Sequence, residues 1–386
     1  MSLEALIGAK RILVVMGPGG VGKTTLAAAL GLEAAVQGRR ALVLTIDPAM
    51  RLADALGLGG FSAGDHHMLP EDSLNRSGVP AKTPLSVAML DTGRSLTDLI
   101  TREVSDPKRR RRILENPFFG RLCNDLVGSR EYAAMEEIYH LHSRGDYDLL
   151  IVDTPPTTHG LDFLEAPDRI LDVLEHDGYR WLMRPALLTG RLGLRVLDFS
   201  GGYVVRTLSR FTGIRFLKDL ATFIDLFSGL MEGFRRRASA LRSILTTDAS
   251  AFLLVTTPDP SRSEECRYLN RRLSRRHLAP AAVVANRVMP EPLPLPEEPD
   301  WCRKLTRALA VEMSSRDAEA ATAAMKRAYQ MLSDLAGRDR GRLAELKESL
   351  PDHPCVVAVP LLEEDVHDVK GLEKMRRAVF TQGSAR

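Results

Sequence analysis

Short apolar runs recur along the chain, and most of them lack the alternation of polar and apolar positions that marks a half-exposed strand. Seven runs stand out: Ile12–Met16, Ala41–Ile46, Leu85–Leu90, Leu149–Val152, Phe252–Thr256, Ala282–Ala285 and Val356–Val359. They are bounded by turn-forming or charged residues, as is typical of strands that are buried on both faces. Helical stretches separate most of them. This order predicts an α/β fold with a mainly parallel, doubly wound sheet of about seven strands.

Long spans between these runs fall outside the predicted sheet. Residues 92–147 and 160–247 are predicted to be helical insertions, and the stretch from 61 to 84 an irregular loop. A further insertion, residues 290–350, starts in the proline-rich MPEPLPLPEEPD and continues as two charged helices from Trp301 to about Leu350. Because the strands on either side of these spans complete one sheet, we expect residues 1–386 to form a single domain.

Composition narrows the class of protein without fixing its activity. The 386 residues are 44% hydrophobic and carry a formal net charge of +3, so no global field draws the chain to nucleic acid or to an anionic membrane. No segment approaches the roughly 20 apolar residues that cross a bilayer, and the N-terminal apolar run is too short for a signal-peptide core. The four cysteines are far apart and include no CxxC pair, which disfavours a disulfide framework. We therefore expect a cytoplasmic protein, with peripheral membrane association left open.

The sequence GPGGVGKT, residues 17–24, fits the phosphate-binding pattern GxxxxGK[ST] and lies between a predicted strand and a predicted helix that ends near Gln37. In such a loop the backbone N–H groups converge on phosphate oxygens, and the helix N-terminus adds positive potential. Lys23 would reach the β- and γ-phosphates as a catalytic cation, the Thr24 hydroxyl would bind Mg²⁺, and Thr25 would contact the α-phosphate. The nucleotide-binding residues predicted in this segment are Gly17, Gly19, Gly20, Val21, Gly22, Lys23, Thr24 and Thr25.

Two aspartates stand at the ends of predicted strands. Asp47 follows the second run, in LTIDPAMRLADALG, and Asp153 follows the fourth, in LLIVDTPPTTHGLDFL. Loops at the carboxyl ends of parallel strands hold the ligands of α/β proteins, so both carboxylates can approach the same phosphates. Asp153 is predicted to hold Mg²⁺, and Asp47 to orient the attacking water or hold a metal-bound one. The alternative for either residue is a helix cap or a turn former.

These segments together resemble two related groups, the arsenite-pump ATPases and the ATPases that target tail-anchored proteins. GGVGKTT, TIDPAMRLADALG, VDTPPTTHGLDFL, VVANRV and VPLLEEDVHDVKGLEKM occur in that family's order, and the likeness covers most of the chain. The resemblance implies a P-loop NTPase fold and a Mg·ATP-dependent switch, in which the segments around Asp47 and Asp153 couple nucleotide state to the packing of two subunits. It also implies that Asn286 reads the adenine edge and that Pro360 and Leu361 line the base pocket.

Two positions depart from the pattern of that family. Its usual loop carries a lysine where this chain has Pro18, and that lysine reaches across the dimer to the partner's phosphates. Proline leaves the N–H cradle usable, because its φ is preset and only one donor is lost, but it supplies no charge. Met50 stands where many members have histidine. We therefore expect slow hydrolysis, or a catalytic cation from an arginine of this chain or from a different partner subunit.

Residues 179–247 are rich in both large apolar and basic side chains. In the targeting ATPases the corresponding insert forms a groove for a client's transmembrane helix, so the resemblance implies a hydrophobic helical client or a membrane-associated partner. The alternative is a helical subdomain whose side chains bury one another.

Elsewhere, the basic run Lys108–Arg112 is interpreted as a solvated helix face, and His66 and His67 as surface residues of a polar loop. Each cysteine is interpreted as a structural thiol: Cys123, Cys266, Cys302 and Cys355.

Three functions stay open at this point. The first is an ATP-driven switch that forms a homodimer, or a heterodimer with a paralogous subunit, and presents a client or partner surface. The second is a catalytically weak, nucleotide-binding regulatory or structural subunit of a heteromeric complex, which Pro18 favours. The third is a partition or septum-positioning ATPase, although no DNA-reading domain or amphipathic terminal anchor is evident and nucleic-acid binding is not expected.

Overall fold

The structure is a computed structural model, and it describes residues 2–47, 51–59, 62–124, 128–156, 164–165, 168, 222–223, 226, 230–293 and 301–380. The strands in these ranges are β1 (Ile12–Met16), β2 (Ala41–Thr45), β3 (His66–Leu69), β4 (Leu85–Met89), β5 (Leu149–Asp153), β6 (Ser250–Thr256), β7 (Ala282–Val288) and β8 (Cys355–Pro360). The helices are α1 (Leu3–Ala9), α2 (Lys23–Val36), α3 (Arg51–Leu56), α4 (Glu71–Arg76), α5 (Thr92–Glu103), α6 (Pro107–Leu114), α7 (Pro117–Asn124), α8 (Ser129–Arg144), α9 (Met231–Thr246), α10 (Pro260–Ser274), α11 (Trp301–Leu309), α12 (Ser315–Ser349) and α13 (Val369–Phe380).

The strands form one sheet in the order β3-β4-β2-β5-β1-β6-β7-β8. Every neighbouring pair is parallel except β3 and β4, which are antiparallel. The predicted α/β class with a mainly parallel, doubly wound sheet is confirmed. β1 lies between β5 and β6, and its carboxyl end leads directly into the loop at residues 17–22.

Both faces of the sheet are covered, which explains why the strand runs are apolar without alternation. Within β1, Leu13 and Val15 belong to one buried cluster, which includes residues of α2 and α13. Ile12, Val14 and Met16 belong to the opposite cluster, which includes residues of α5, α8, α9 and α10. Successive residues of a strand point to opposite faces, so a strand between two helical layers needs an apolar residue at every position.

The prediction of an irregular loop from 61 to 84 is wrong, because this stretch contains β3 and α4. β3 is a short edge strand in which His66, His67 and Met68 are exposed and only Leu69 is buried. The two histidines are on the surface as predicted, but they lie in a strand. Continuous apolar runs indicate strands that are buried on both faces, so the sequence predicts about seven strands, whereas the described residues contain eight, including this edge strand.

Several of the described helices lie in the long spans between the strands. Residues 92–147 contain α5 to α8, and α11 and α12 start and end close to the positions predicted for the two charged helices. α9 lies within residues 160–247, and most of that span lies outside the described residues. Arg237 of α9 is buried and forms an ion pair with Glu136 of α8 at 2.7 Å. No helix of the described part is long and apolar enough to cross a membrane.

Candidate functional site

In the loop between β1 and α2, two positions must be glycine, because a side chain there would clash with neighbouring residues. Gly17 has φ +155°, and a Cβ there would lie 2.2 Å from the carbonyl oxygen of Val255 in β6. Gly22 has φ +94°, and a Cβ there would lie 2.4 Å from Nδ2 of Asn286. Both positions therefore exclude a side chain. Gly22 is also the N-cap of α2 and offers no side-chain cap, so the first-turn N–H groups of this helix are free to bind an anion.

Lys23 begins α2 and folds back over this loop. Its Nζ donates a hydrogen bond of 2.9 Å to the carbonyl oxygen of Pro18, and the residue is buried. Burial lowers the pKa of Lys23, while the negative charges of Asp153 and Asp47 act in the opposite direction. The ammonium group is thus held at the centre of the loop, with both predicted carboxylates near enough to influence it.

Asp153 is the most completely buried charged group of the site. Oδ2 accepts two hydrogen bonds, from the Thr24 hydroxyl at 2.7 Å and from the Thr45 hydroxyl at 2.9 Å. Oδ1 is buried and has no hydrogen-bond partner among the described residues. Burial raises the pKa of Asp153 to about 6, and the hydrogen bonds from Thr24 and Thr45 oppose that rise.

The donor set around Asp153 fits Mg²⁺. This ion prefers hard oxygen ligands and is commonly bound through one or two carboxylates, with the remaining positions taken by water and substrate phosphates. The Oδ1 of Asp153, which has no hydrogen-bond partner among the described residues, and the Thr24 hydroxyl are such oxygens, and they lie beside the loop at residues 17–22. No group of three or more His, Cys, Asp or Glu side chains in the described part of the chain is arranged to hold a metal ion. A protein-only metal cage is therefore not what these residues form.

Asp47 lies two residues beyond the end of β2 and is largely buried. Arg51 of α3 approaches it, with Nη1 at 3.6 Å from Oδ2 of Asp47. Residues 48–50 between them, including Met50, lie outside the described residues. The structure thus places Asp47 at the same sheet edge as Asp153, since β2 and β5 are neighbouring parallel strands.

A cavity of about 310 Å³ opens beside the loop, in the size range of small-molecule pockets. Its lining includes the predicted residues Gly22, Thr25, Asn286, Pro360 and Leu361. Nδ2 of Asn286 donates a hydrogen bond of 2.9 Å to the carbonyl oxygen of Val21, so this amide touches the loop itself. The structure therefore brings the predicted base-pocket residues together, from strands β7 and β8, although they are far from the loop in sequence.

The turn that carries Asn286 is irregular. The pairing of β7 with β8 shifts register between Ala285 and Val288, and Arg287 has a left-handed φ of 57°. Such an irregularity redirects the side chains of a strand. Here it turns Asn286 toward the loop and places Nη1 of Arg287 at 3.3 Å from the carbonyl oxygen of Gly20.

Sequence reasoning missed several residues of this site. The apolar pattern of ALVLT predicts only a strand at Thr45, although a hydroxyl in an otherwise apolar run, two residues before Asp47, is a usable signal. Arg287, Glu364 and Asp365 also line or border the cavity. They are exposed charged residues of ordinary appearance, and nothing local in the sequence distinguishes them.

Other predicted features lie away from this site. Cys123 and Cys266 are buried, Cys302 and Cys355 are half-buried, and all four thiols are free. Burial raises the pKa of Cys266 to about 12, which makes it unreactive.

The basic run is only partly the solvated face that was predicted. Arg109 donates a hydrogen bond of 2.7 Å to the carbonyl oxygen of Leu226, and Arg110 donates one of 3.3 Å to that of Thr101. Both arginines are half-buried because α6 packs among neighbouring helices, whereas Lys108, Arg111 and Arg112 are exposed.

Comparisons with known proteins agree with this geometry. A family model described as an anion-transporting ATPase matches residues 10–180. An uncharacterized protein from Streptomyces coelicolor is 28% identical over 292 residues, covering 74% of this chain and 64% of that protein. A putative arsenical pump-driving ATPase from Aquifex aeolicus is 23% identical over 381 residues, covering 96% of this chain and 78% of that protein. The ATPase get3 from Schizosaccharomyces japonicus is 30% identical over 215 residues, covering 52% of this chain and 58% of that protein.

Proposed function

We propose that this chain, which belongs to the ArsA-like ATPase family, binds and hydrolyses Mg·ATP at the loop between β1 and α2. The observation that carries the proposal is the Asp153 cluster. A fully buried carboxylate accepts two threonine hydroxyls on one oxygen and leaves the other unpartnered among the described residues, beside a glycine loop that ends in a buried lysine. Burying a carboxylate with an unsatisfied oxygen is costly, so this arrangement is favoured where a cation completes it.

In this proposal the residues divide into three groups. The loop amides of residues 17–22 and the ammonium group of Lys23 hold the phosphates. Asp153 and Thr24 would hold Mg²⁺, which when bound neutralises charge on the phosphate oxygens. Asp47 orients the attacking water or a metal-bound one.

The base of the nucleotide would occupy the cavity beside the loop. Asn286, Pro360 and Leu361 line it, together with Thr25. The lining comes from the ends of β7 and β8, the segment that follows β8, the first turn of α2 and Met375 of α13, so the base would lie next to the loop that holds the phosphates.

Hydrolysis by the isolated chain is proposed to be slow. Pro18 is buried and has no N–H to offer, and its carbonyl oxygen accepts the hydrogen bond from Lys23. No cation therefore extends from position 18 toward a partner's phosphates, and such a cation supplies much of the rate in related nucleotidases. Pro18 is also the specific observation that favours the second candidate, a nucleotide-binding regulatory subunit that pairs with a more active paralogue.

Partner, client and location are part of the same proposal. We place the chain in the cytoplasm as a nucleotide-controlled homodimer, or heterodimer with a paralogue, that presents a hydrophobic helical surface to a client or membrane-associated protein. The support is the family and the composition of residues 179–247, most of which lie outside the described residues. The names of relatives refer to an arsenical pump and to get3, and neither activity is assigned to this chain.

Calorimetry with Mg·ATP tests the nucleotide site, and phosphate release tests hydrolysis. We expect wild-type protein to bind ATP in a Mg²⁺-dependent manner, and Lys23→Ala and Asp153→Ala to lose most of that binding. Lys347→Ala, an exposed lysine of α12, is the matched control and should bind as wild type does. Absence of ATP uptake by the wild-type protein in the presence of Mg²⁺ would refute the proposed function. Binding without turnover, restored by adding a paralogue, would select the second candidate.

A further inference from the structure

Helix α12 passes the carboxyl ends of the strands, where the proposed phosphate-binding loop also lies. Asp339 accepts a hydrogen bond of 2.9 Å from the backbone N–H of Met289, one residue after the end of β7. Arg342 donates a hydrogen bond of 3.4 Å to the carbonyl oxygen of Pro258, two residues after the end of β6. These contacts place residues 339–342 at the carboxyl ends of parallel strands, which is also where β1 gives way to the loop.

The rest of α12 continues beyond that edge. After residue 342 the helix runs back toward β8, whose first residue, Cys355, pairs with the first residue of β7, Ala282. The preceding segment, residues 315–338, therefore extends past the carboxyl ends of the strands and away from the sheet. At 1.5 Å per residue it is about 36 Å long. We call residues 301–338, which comprise α11 and this part of α12, the arm. It stands at the same edge of the sheet as the nucleotide site.

The arm does not complete its own apolar core. At its outer end α11 covers α12, where Ala318 and Thr322 are buried and the Thr306 hydroxyl donates a hydrogen bond of 2.9 Å to that of Thr322. Between that end and the body of the protein, Met325 and Leu332 are 49% and 43% exposed. None of the residues of α11 is buried. Two helices alone bury little apolar area, so an exposed stretch of this kind is favoured where another surface covers it.

One row of side chains along α12 has the spacing that is typical of the contact between two paired helices, and we call this row the seam. Its residues alternate at intervals of four and three, as in a heptad repeat: Asp317, Ala321, Ala324, Ala328, Met331, Leu335, Arg338 and Arg342. Ala324 and Ala328 are exposed, and Met331 is 66% exposed. The row is apolar in its middle, acidic at its N-terminal end and basic at its C-terminal end.

This row is complementary to itself when two copies lie antiparallel. With the midpoint between Tyr329 and Gln330, Ala328 of one copy faces Met331 of the other, and Ala324 faces Leu335. A small side chain opposes a large one at each of these steps, which is how helix surfaces interdigitate. Asp317 lies opposite Arg342, so the ends carry opposite charges. In a parallel pair, by contrast, Met331 would face Met331 and Asp317 would face Asp317.

We propose that the arm is the surface through which a second copy of this chain binds, with the two α12 helices antiparallel and the arms extending past the two nucleotide sites. The inference rests on the nucleotide-controlled dimer of the proposed function and locates one of its contacts. The partner follows from the self-complementary row, because a sequence that pairs with its own reversed copy fits a two-fold symmetric dimer.

The test is the mass of the protein in solution, measured with Mg²⁺ and a non-hydrolysable ATP analogue by light scattering over a range of concentrations. We expect a dimer for the wild type, and at least about tenfold weaker dimerisation for Met331→Glu and for Ala328→Glu, since each places a carboxylate in the apolar middle of the seam. Ala323→Glu is the matched control. Ala323 is an exposed alanine of the same helix, about 140° around the axis from Ala328, and its variant should dimerise as wild type does.

Cross-linking gives a second readout that does not depend on disrupting the helix. Ala328→Cys should form a covalent dimer with a short bismaleimide, whereas Ala323→Cys should stay at the wild-type background set by the native thiols. Dimerisation of both glutamate variants at wild-type strength would overturn the proposal, and so would a wild-type protein that is monomeric with nucleotide or that pairs only with a paralogue. Calorimetry separates the two proposals. If Met331→Glu and Ala328→Glu bind the nucleotide and dimerise as the wild type does, only the role of the arm is contradicted, whereas a wild type that binds no nucleotide contradicts the proposed function.

Discussion

Thr45 and Asp153 are cross-strand neighbours at the carboxyl ends of β2 and β5, and the Thr45 hydroxyl donates a hydrogen bond of 2.9 Å to Oδ2 of Asp153. The Thr24 hydroxyl donates to the same oxygen from α2. Together the two donors fix the carboxylate and leave Oδ1 without a hydrogen-bond partner among the described residues, and this is the oxygen that we propose binds Mg²⁺. In the proposed site Thr45 is therefore a positioning residue, which acts through Asp153.

Replacing Thr45 by Val should weaken Mg²⁺-dependent nucleotide binding by roughly tenfold or more, since a hydrogen bond to a charged group contributes about 1.5–3 kcal/mol. Calorimetric titrations with ATP, once with Mg²⁺ and once with EDTA, measure this increment directly. Binding in EDTA should change little. Thr45→Ser keeps the donor and should restore the increment, and a Val variant with the wild-type response to Mg²⁺ would show that the hydroxyl has no such role.

Replacing Gly22 by Ala should abolish nucleotide binding. The new Cβ would lie 2.4 Å from Nδ2 of Asn286, at a φ of +94° that L residues rarely adopt. The clash displaces either the loop or the amide that supports it. Gly341→Ala is the control, because Gly341 is a helical glycine of α12 with open space around its Cβ position. That variant should bind ATP normally and gain about 0.4–1 kcal/mol of unfolding free energy. Equal ATP affinity of Gly22→Ala and wild type would contradict this account of the loop.

Introducing a lysine at position 18 should raise ATP turnover about tenfold or more, provided that two subunits pair, because a cation at the transferring phosphoryl group stabilises the transition state. Pro18→Ala serves as the control, since it returns the backbone N–H without adding a charge. Steady-state phosphate release at several protein concentrations distinguishes the two variants. If the wild type already turns over rapidly and shows no dependence on concentration, the role assigned to Pro18 is wrong.

Breaking the ion pair between Arg237 and Glu136 should lower the free energy of unfolding by about 3–5 kcal/mol, because removing one partner leaves an uncompensated buried charge. Both residues are buried, and Glu136 also accepts a hydrogen bond from the Tyr132 hydroxyl. Arg237→Met tests this in urea denaturation.

The control is on the same helix. Arg235 pairs with Glu232 at 2.8 Å, and both side chains are exposed. Arg235→Met should therefore change the unfolding free energy by less than about 1 kcal/mol. Similar losses for the two variants would mean that burial does not set the strength of the Arg237 pair.

The sequence by itself determined the elements that local patterns encode. Seven of the eight strands in the described ranges follow from continuous apolar runs, because a strand covered by helices on both faces needs an apolar residue at every position. The loop at residues 17–22 was predictable from the pattern of its glycines before Lys23, since glycine readily adopts the positive φ angles found there. The edge strand β3 escaped because its side chains are mostly exposed.

Only the tertiary structure decided which of these elements meet. Asn286 contacts Val21 across 265 positions of sequence, and Thr45 meets Asp153 across 108. Both contacts depend on the order of strands in the sheet, and the bulge at Arg287 adds a change of direction that no local pattern announces. Periodicity reports whether a residue is buried, but the identity of its neighbour is set by packing between distant segments. For that reason the glycine-rich loop was predictable from the sequence, whereas the hydroxyl that orients Asp153 and the position of α12 near that loop were decided by the fold.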